Sequence, residues 1–171
     1  ECAQEVTASA TLFDTHVIVD WSARSAPSPA KPSKDAIWIG VARDGGVETT
    51  YLRTRAAAEA WLIDFFATET AAGRRALVGF DFPFGYPAGV AETVSGEASA
   101  LALWNWFATH VDDSEDNANN RYDVAAKINR LYPGIGPFWG TPGAQEVADV
   151  PARSNDRTGD HPPERRASEG V

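Results

Sequence analysis

Asp20 closes the run THVIVD and Asp81 closes ALVGFD, so in both places a carboxylate follows a short string of mostly apolar residues. Runs of that length and type form buried strands. Each acid would then leave the core at a strand's C-terminal tip, the edge of an open sheet where ligands gather. Adjacent parallel strands would bring the two tips together, although they lie far apart along the chain. Two like charges held close are unfavourable unless they share a proton or bind a cation. Paired carboxylates with open water positions are what Mg²⁺ or Mn²⁺ accepts, and such a metal activates water and neutralises a phosphoryl group. The alternative is structural: each acid ends its strand and caps the loop that follows.

Other residues extend this reading. Glu59 flanks Leu62 and Phe66 on a helical apolar face and could supply a third acid. Asp123 is the other contender, with Asn120 and Arg121 one turn away to set a cation beside a carboxylate, Arg121 holding a phosphate or carboxylate by its forked donors. A helix N-terminus, where Asn caps and Asp favours the dipole, explains the same residues without a ligand. Ser22 lies two residues after Asp20, on the same side of an extended chain, where it would bond a phosphate or cap the loop. The connection that follows, ARSAPSPAKPSKD, carries Arg24, Lys31 and Lys34 and is the most basic stretch of the chain. In GFDFPFGYPAG and GPFWG, Tyr86 and Trp139 offer faces for a base or sugar to stack upon, or else plug the core. The run DDSEDNANNRYD has calcium-loop spacing at Asp112, Ser114, Asp116 and Asp123, but Asn117 replaces the expected Gly and Asp replaces the final Glu. His16, His110 and His161 are scattered, Cys2 is the sole cysteine, and no phosphate loop or GxSxG elbow exists, so zinc, thiol and serine chemistry are set aside.

The elements that must position these groups follow from apolar period. THVIVDW, AIWIGVA and VETTYLR read as three strands, with Asp44-Gly45-Gly46 turning the second tightly into an antiparallel third. Thr54 caps a helix to about Ala72, with Ala58, Leu62, Phe65 and Phe66 on its inner face and Gly73 as its stop. ALVGFDF is a fourth strand, delivered parallel to the first. Residues near 97–111 form a helix with Leu101, Trp104, Ala108 and Val111 in one stripe, and 118–131 a second with Arg121, Val124, Ile128 and Leu131 aligned. The order β-β-β-α-β-α-α predicts an α/β protein with a mixed sheet and resembles the opening of a ribonuclease H-like fold.

Composition sets the outer bounds. The 171 residues carry 15 Lys+Arg against 24 Asp+Glu, a net charge of −9, which argues against gripping nucleic acid by charge alone; such a partner would have to be met through metal. With 43% hydrophobic residues, a packed core is expected. All aromatic residues fall within 12–140, so that span is the expected domain. Residues 1–11 read as a loose leader, and 141–171 as an irregular Pro-rich, charged tail or a truncated continuation. No apolar run is long enough for a membrane span, and one cysteine suits a reducing, cytoplasmic setting.

Four strings taken together, VIVDWSA, GFDFPFGYP, NNRYDVAAKIN and GPFWG, resemble an uncharacterised bacterial ribonuclease H-like family akin to the domain of unknown function numbered 429. The resemblance implies acids at Asp20, Asp81 and Asp123, with Glu59 where ribonuclease H-like enzymes often place one more. It further implies a longer chain, since ERRASE in the tail resembles an interior piece of that family, so that the C-terminal strand and helices of the fold are possible omissions. Two functions are carried forward. One is divalent-metal-dependent phosphoryl or phosphodiester hydrolysis on a small anionic, nucleotide-like or nucleic-acid-like substrate. The other is a non-catalytic module binding a nucleotide-like or cofactor-like ligand, in keeping with the cofactor-assembly roles associated with some related proteins.

Overall fold

A computed structural model of the chain describes residues 12–141, 146–153 and 157–159. The expected leader, Cys2, His161 and the ERRASE string lie outside the described residues. The chain is an α/β protein with a four-stranded mixed sheet and, among the described residues, four helices. It divides into two compact units, one running up to Phe82 with Glu115–Asn117 added, the other made of Pro83–Ser114 and the chain from Ala118 onward.

The first unit holds β1 (Thr15–Asp20), β2 (Ile37–Arg43), β3 (Gly46–Leu52), α1 (Arg55–Ala71) and β4 (Ala76–Phe80). Spatial order is β3-β2-β1-β4, with β2 antiparallel to both β1 and β3 and β4 parallel to β1. The β2–β3 hairpin turns through Asp44 (φ 51°) and Gly45 (φ 77°). Two consecutive positive φ values give a turn whose twist matches the strands it joins, which is why Asp-Gly serves there.

Branched residues of β1 and β2 alternate, and the inward set of Val17, Val19, Ile37 and Ile39 packs against Ala58 and Leu62 of α1, with Phe65 and Phe66 half-buried beside them. Thr54 caps α1, its hydroxyl accepting from the Ala57 N–H at 3.2 Å. The helix stops as expected before Gly73, which has φ 68°. β1 sits between two strands as its composition predicts, yet Ile18 on its other side is exposed, so the near-continuous apolar run is buried on one face.

Glu69, near the end of α1, is a buried carboxylate that periodicity did not single out. Arg74 meets it at 2.6 Å and Arg43 at 2.7 Å, and the Thr15 hydroxyl donates to it at 2.5 Å. The Arg74 hydrogen bonds, then that of Thr15 and the charges of both arginines, hold its pKa at about 2 against the opposing effect of burial.

The second unit contains α2 (Val90–Ser95), α3 (Ala100–His110) and α4 (Arg121–Asn129) around Val90, Val94, Leu103, Val124 and Ile128. The stripe expected on α3 is corrected. Leu103 is the buried residue, with Trp106 and Phe107 packed beside the core, while Leu101 and Trp104 are exposed. Trp104 instead donates its indole N–H to the Phe84 carbonyl at 3.2 Å. On α4, Val124 and Ile128 are buried as aligned, but Leu131 lies beyond the helix end and is exposed.

Asn129 is buried and ties distant chain to α4. Its amide donates to the carbonyls of Phe138 (2.9 Å) and Asp149 (2.6 Å) and accepts from the Phe138 N–H (2.7 Å). Val150 is buried, and Thr158 forms an antiparallel bridge with Ile135. Described parts of the expected tail therefore gain order from partners elsewhere in the second unit, which supply the hydrogen bonds their own composition lacks. Gly134 (φ 84°) lies directly against the Thr158 carbonyl, where a Cβ would collide with backbone. Among the described residues, no helix is long and apolar enough to cross a membrane.

Candidate functional site

Parallel pairing of β1 with β4 places Val19 opposite Phe80, so the next residue on each strand, Asp20 and Asp81, emerges at the same sheet edge. The two carboxyl groups lie near enough for the charge of Asp81 to act on Asp20. Ladder hydrogen bonding continues past the strands: the Asp81 N–H donates to the Val19 carbonyl at 3.2 Å. In return, the Trp21 N–H donates to Asp81 Oδ1 at 2.8 Å, which fixes the Asp81 carboxylate toward β1. Both aspartates are exposed residues. The Asp20 carboxyl nevertheless loses hydration, and this raises its pKa, followed by the hydrogen bond to Asp81 and the charges of Asp81 and Asp35. A carboxyl pair of this kind shares a proton or awaits a cation.

Asp35 is a participant that sequence reading missed. Antiparallel pairing sets Trp38 opposite Asp20, so the chain just before β2 arrives beside the tip of β1. An acid immediately ahead of an antiparallel neighbour was the available signal. Ser22 is buried and serves the loop: its hydroxyl donates to the Asp35 carbonyl and accepts from the Arg24 N–H, both at 3.4 Å. Glu59 lies on the exposed side of α1, not on its buried face with Ala58 and Leu62. One turn of α1 separates inward positions, and the residue after Ala58 points away from the sheet.

The long basic loop after β1 is held by Arg55 and Asn117. Arg55 Nη1 donates to the carbonyls of Ser22 (2.9 Å) and Arg24 (2.8 Å), and Nη2 to that of Asn117 (2.8 Å). Asn117 is buried with φ 72°, accepts from the Arg55 N–H at 2.8 Å, and donates to the carbonyls of Ala26 (3.2 Å) and Arg53 (3.3 Å). Within the former calcium-loop string, Asn117 thus serves as a structural pin.

In the second unit, Tyr86, Arg121 and Trp139 line one cavity of about 380 Å³, together with Phe107, Tyr122 and Phe138. Tyr86 stacks on Phe107 at 5.5 Å and meets Phe138 edge-on at 6.2 Å. Arg121 lies 4.6 Å over the Tyr122 ring and donates to Asn119 Oδ1 (3.3 Å) and to the Tyr122 hydroxyl (3.1 Å). Asn120 stands at the N-cap position of α4 as expected, but its side chain is used elsewhere. Its amide accepts from the Asp112 N–H (2.9 Å) and donates to the His110 carbonyl (3.0 Å), so it braces the connection between α3 and α4 and makes no side-chain cap. Asp123 is exposed in the first turn of α4, where its charge suits the helix dipole.

The donor set of Asp20 and Asp81 is all oxygen, and one oxygen of Asp81 is already oriented by backbone. That chemistry fits Mg²⁺ or Mn²⁺, which take one or two protein carboxylates and keep water in their other positions. Among the described residues, no group of three or more His, Cys, Asp or Glu stands ready for a metal ion, so Asp35 is near enough to be felt as charge without completing such a cluster. Comparison with family models, curated proteins and solved structures found no match.

Proposed function

We propose that the first unit carries a metal-assisted phosphoryl or phosphodiester hydrolase site of ribonuclease H-like type, working in the cytoplasm on a nucleotide-like or nucleic-acid-like substrate. The observation that carries the reading is the placement of Asp20 and Asp81 at the tips of adjacent parallel strands, where the Asp81 carboxylate accepts from the Trp21 N–H. The element order β1, β2, β3, α1, β4 and the family resemblance of VIVDWSA and GFDFPFGYP support it.

Mg²⁺ or Mn²⁺ bound here would supply Lewis acidity toward a phosphoryl oxygen and a more acidic water. The chain's own residues hold that position. Asp81 is oriented by the Trp21 N–H, Asp20 approaches it from the neighbouring strand, and Asp35 adds negative potential. The basic residues Arg24, Lys31 and Lys34 of the following loop favour an anionic substrate. Calorimetry of the full chain with Mg²⁺ and Mn²⁺, and Mn²⁺-dependent hydrolysis of bis(p-nitrophenyl) phosphate, test the proposal. Binding and turnover that are lost together in Asp20→Asn support it. Failure of both ions to bind overturns it.

A further inference from the structure

The cavity of the second unit has a chemistry of its own. Its volume of about 380 Å³ falls at the lower end of the range typical of small-molecule sites, roughly 300–1,000 Å³. Five of the described lining residues, Tyr86, Phe107, Tyr122, Phe138 and Trp139, are aromatic, and Trp139 is 52% exposed. A large indole left in water is a surface that a flat ligand can cover. Besides Arg121, the rest of the wall is aliphatic, from half-buried Val111 and Ala125 and buried Val124, Ile128 and Val150. Among the described residues that line the cavity, Arg121 is the one charged side chain. Asn119 and the Tyr122 hydroxyl orient its guanidinium.

We infer that this cavity binds a planar aromatic monoanion of the aryl carboxylate class, its ring against Trp139 and Tyr86 and its carboxylate on Arg121. Charge complementarity selects the anion, because the guanidinium keeps its positive charge while Asn119 and the Tyr122 hydroxyl hold it in place. The aliphatic wall selects a ring bearing one short polar group. A sugar's hydroxyls would lose water there without gaining partners, a cost the ring does not meet. This site rests on the second unit alone.

Calorimetric titration of the full chain with 2-naphthoate, its neutral isostere 2-naphthamide and the non-planar cyclohexanecarboxylate tests the assignment. 2-Naphthoate is expected to bind saturably, with 2-naphthamide weaker by roughly tenfold, the loss of one charge-assisted contact. Cyclohexanecarboxylate is expected to be weaker as well. Arg121→Gln should weaken 2-naphthoate to the level of the amide, Arg121→Lys should restore part of the difference, and Trp139→Ala, at an exposed position, should weaken both aromatic probes several-fold. Absence of saturable 2-naphthoate binding overturns the inference, as does equal affinity for acid and amide, or indifference to Trp139→Ala. Should Arg121→Gln fail to fold, the acid–amide comparison on the unaltered chain decides.

Discussion

The backbone N–H of Trp21, the residue directly after Asp20, donates at 2.8 Å to the carboxylate of Asp81. The tip of one strand thereby aims the acid of its neighbour, and the two carboxyls are brought to one sheet edge by the same peptide geometry that pairs β1 with β4. Repulsion between them is built into the fold, and its relief is measurable.

Asp20→Asn removes one charge while keeping a group that can hydrogen-bond to Asp81. The metal-free protein is expected to melt higher, by about 1–2 °C, a small gain because the pair is exposed and screened. Stabilisation by added Mn²⁺ should vanish in the variant. Differential scanning fluorimetry in EDTA and then in Mn²⁺ reads both effects, and a variant that melts lower in EDTA contradicts the strained-pair account.

Glu69 governs acid stability. Its carboxyl titrates at about 2 in the folded chain against an ordinary 4.5. A depressed folded pKa contributes stability that is present above the unfolded value and lost as pH falls toward the folded one. Glu69→Gln should cost about 2 kcal/mol at pH 7, less than a fully enclosed pair because the Arg43 and Arg74 side chains are 37% and 32% exposed. The gap between variant and parent should close as pH drops from 4.5 toward 2. Urea unfolding at pH 7 and pH 3 measures it, and a gap independent of pH would mean that Glu69 acts by packing alone.

Asn117 combines a left-handed backbone with three side-chain hydrogen bonds in a buried position. Asn117→Ala removes the acceptor of the Arg55 N–H and the donor to the Ala26 carbonyl and strains φ, while the Arg53 carbonyl still accepts from the Ser28 N–H, for a loss of about 2–4 kcal/mol. Chemical denaturation gives the value. Proteolysis should then open the loop between β1 and β2 first, since Arg55 and Asn117 hold it.

Asn129→Asp keeps an acceptor for the Phe138 N–H but turns a carboxylate oxygen toward the carbonyls of Phe138 and Asp149. The segment carrying Trp139 and Val150 should detach locally before global unfolding. Hydrogen exchange at the Phe138 amide is expected to accelerate roughly tenfold or more, the equivalent of one lost buried hydrogen bond. Unchanged protection there would show that other contacts hold the segment.

Where local pattern and tertiary demand agreed, the fold was legible. Val17, Val19, Ile37 and Ile39 alternate, Thr54 and Gly73 bracket α1, and a parallel return follows from a helix of that length. The α3 stripe was misread because ALALWNWFATH is apolar nearly all round, so period alone does not choose between Leu101 and Leu103. α2 escaped notice as six residues between Gly89 and Gly96. At the acid pair, Asp20 and Asp81 were readable because each ends an apolar run. Asp35 was hidden because its place depends on β2 register, whereas Ser22 takes the loop-holding role that its spacing allowed and Asn120 takes the N-cap position, its side chain turned to the α3–α4 connection. Glu69 looked like an ordinary helix-surface acid, since its three partners come from β1, β2 and the turn after α1.

β1 is a lever with unlike ends. At Thr15 it grips a carboxylate whose charge is fully answered, and at Asp20 it presents one that is not. Six residues of strand put about 16–20 Å between them, roughly two Debye lengths at physiological salt. Electrostatic news from one end does not reach the other. Rigidity and reactivity on this strand can therefore be altered one at a time, and changes made at both ends should simply add.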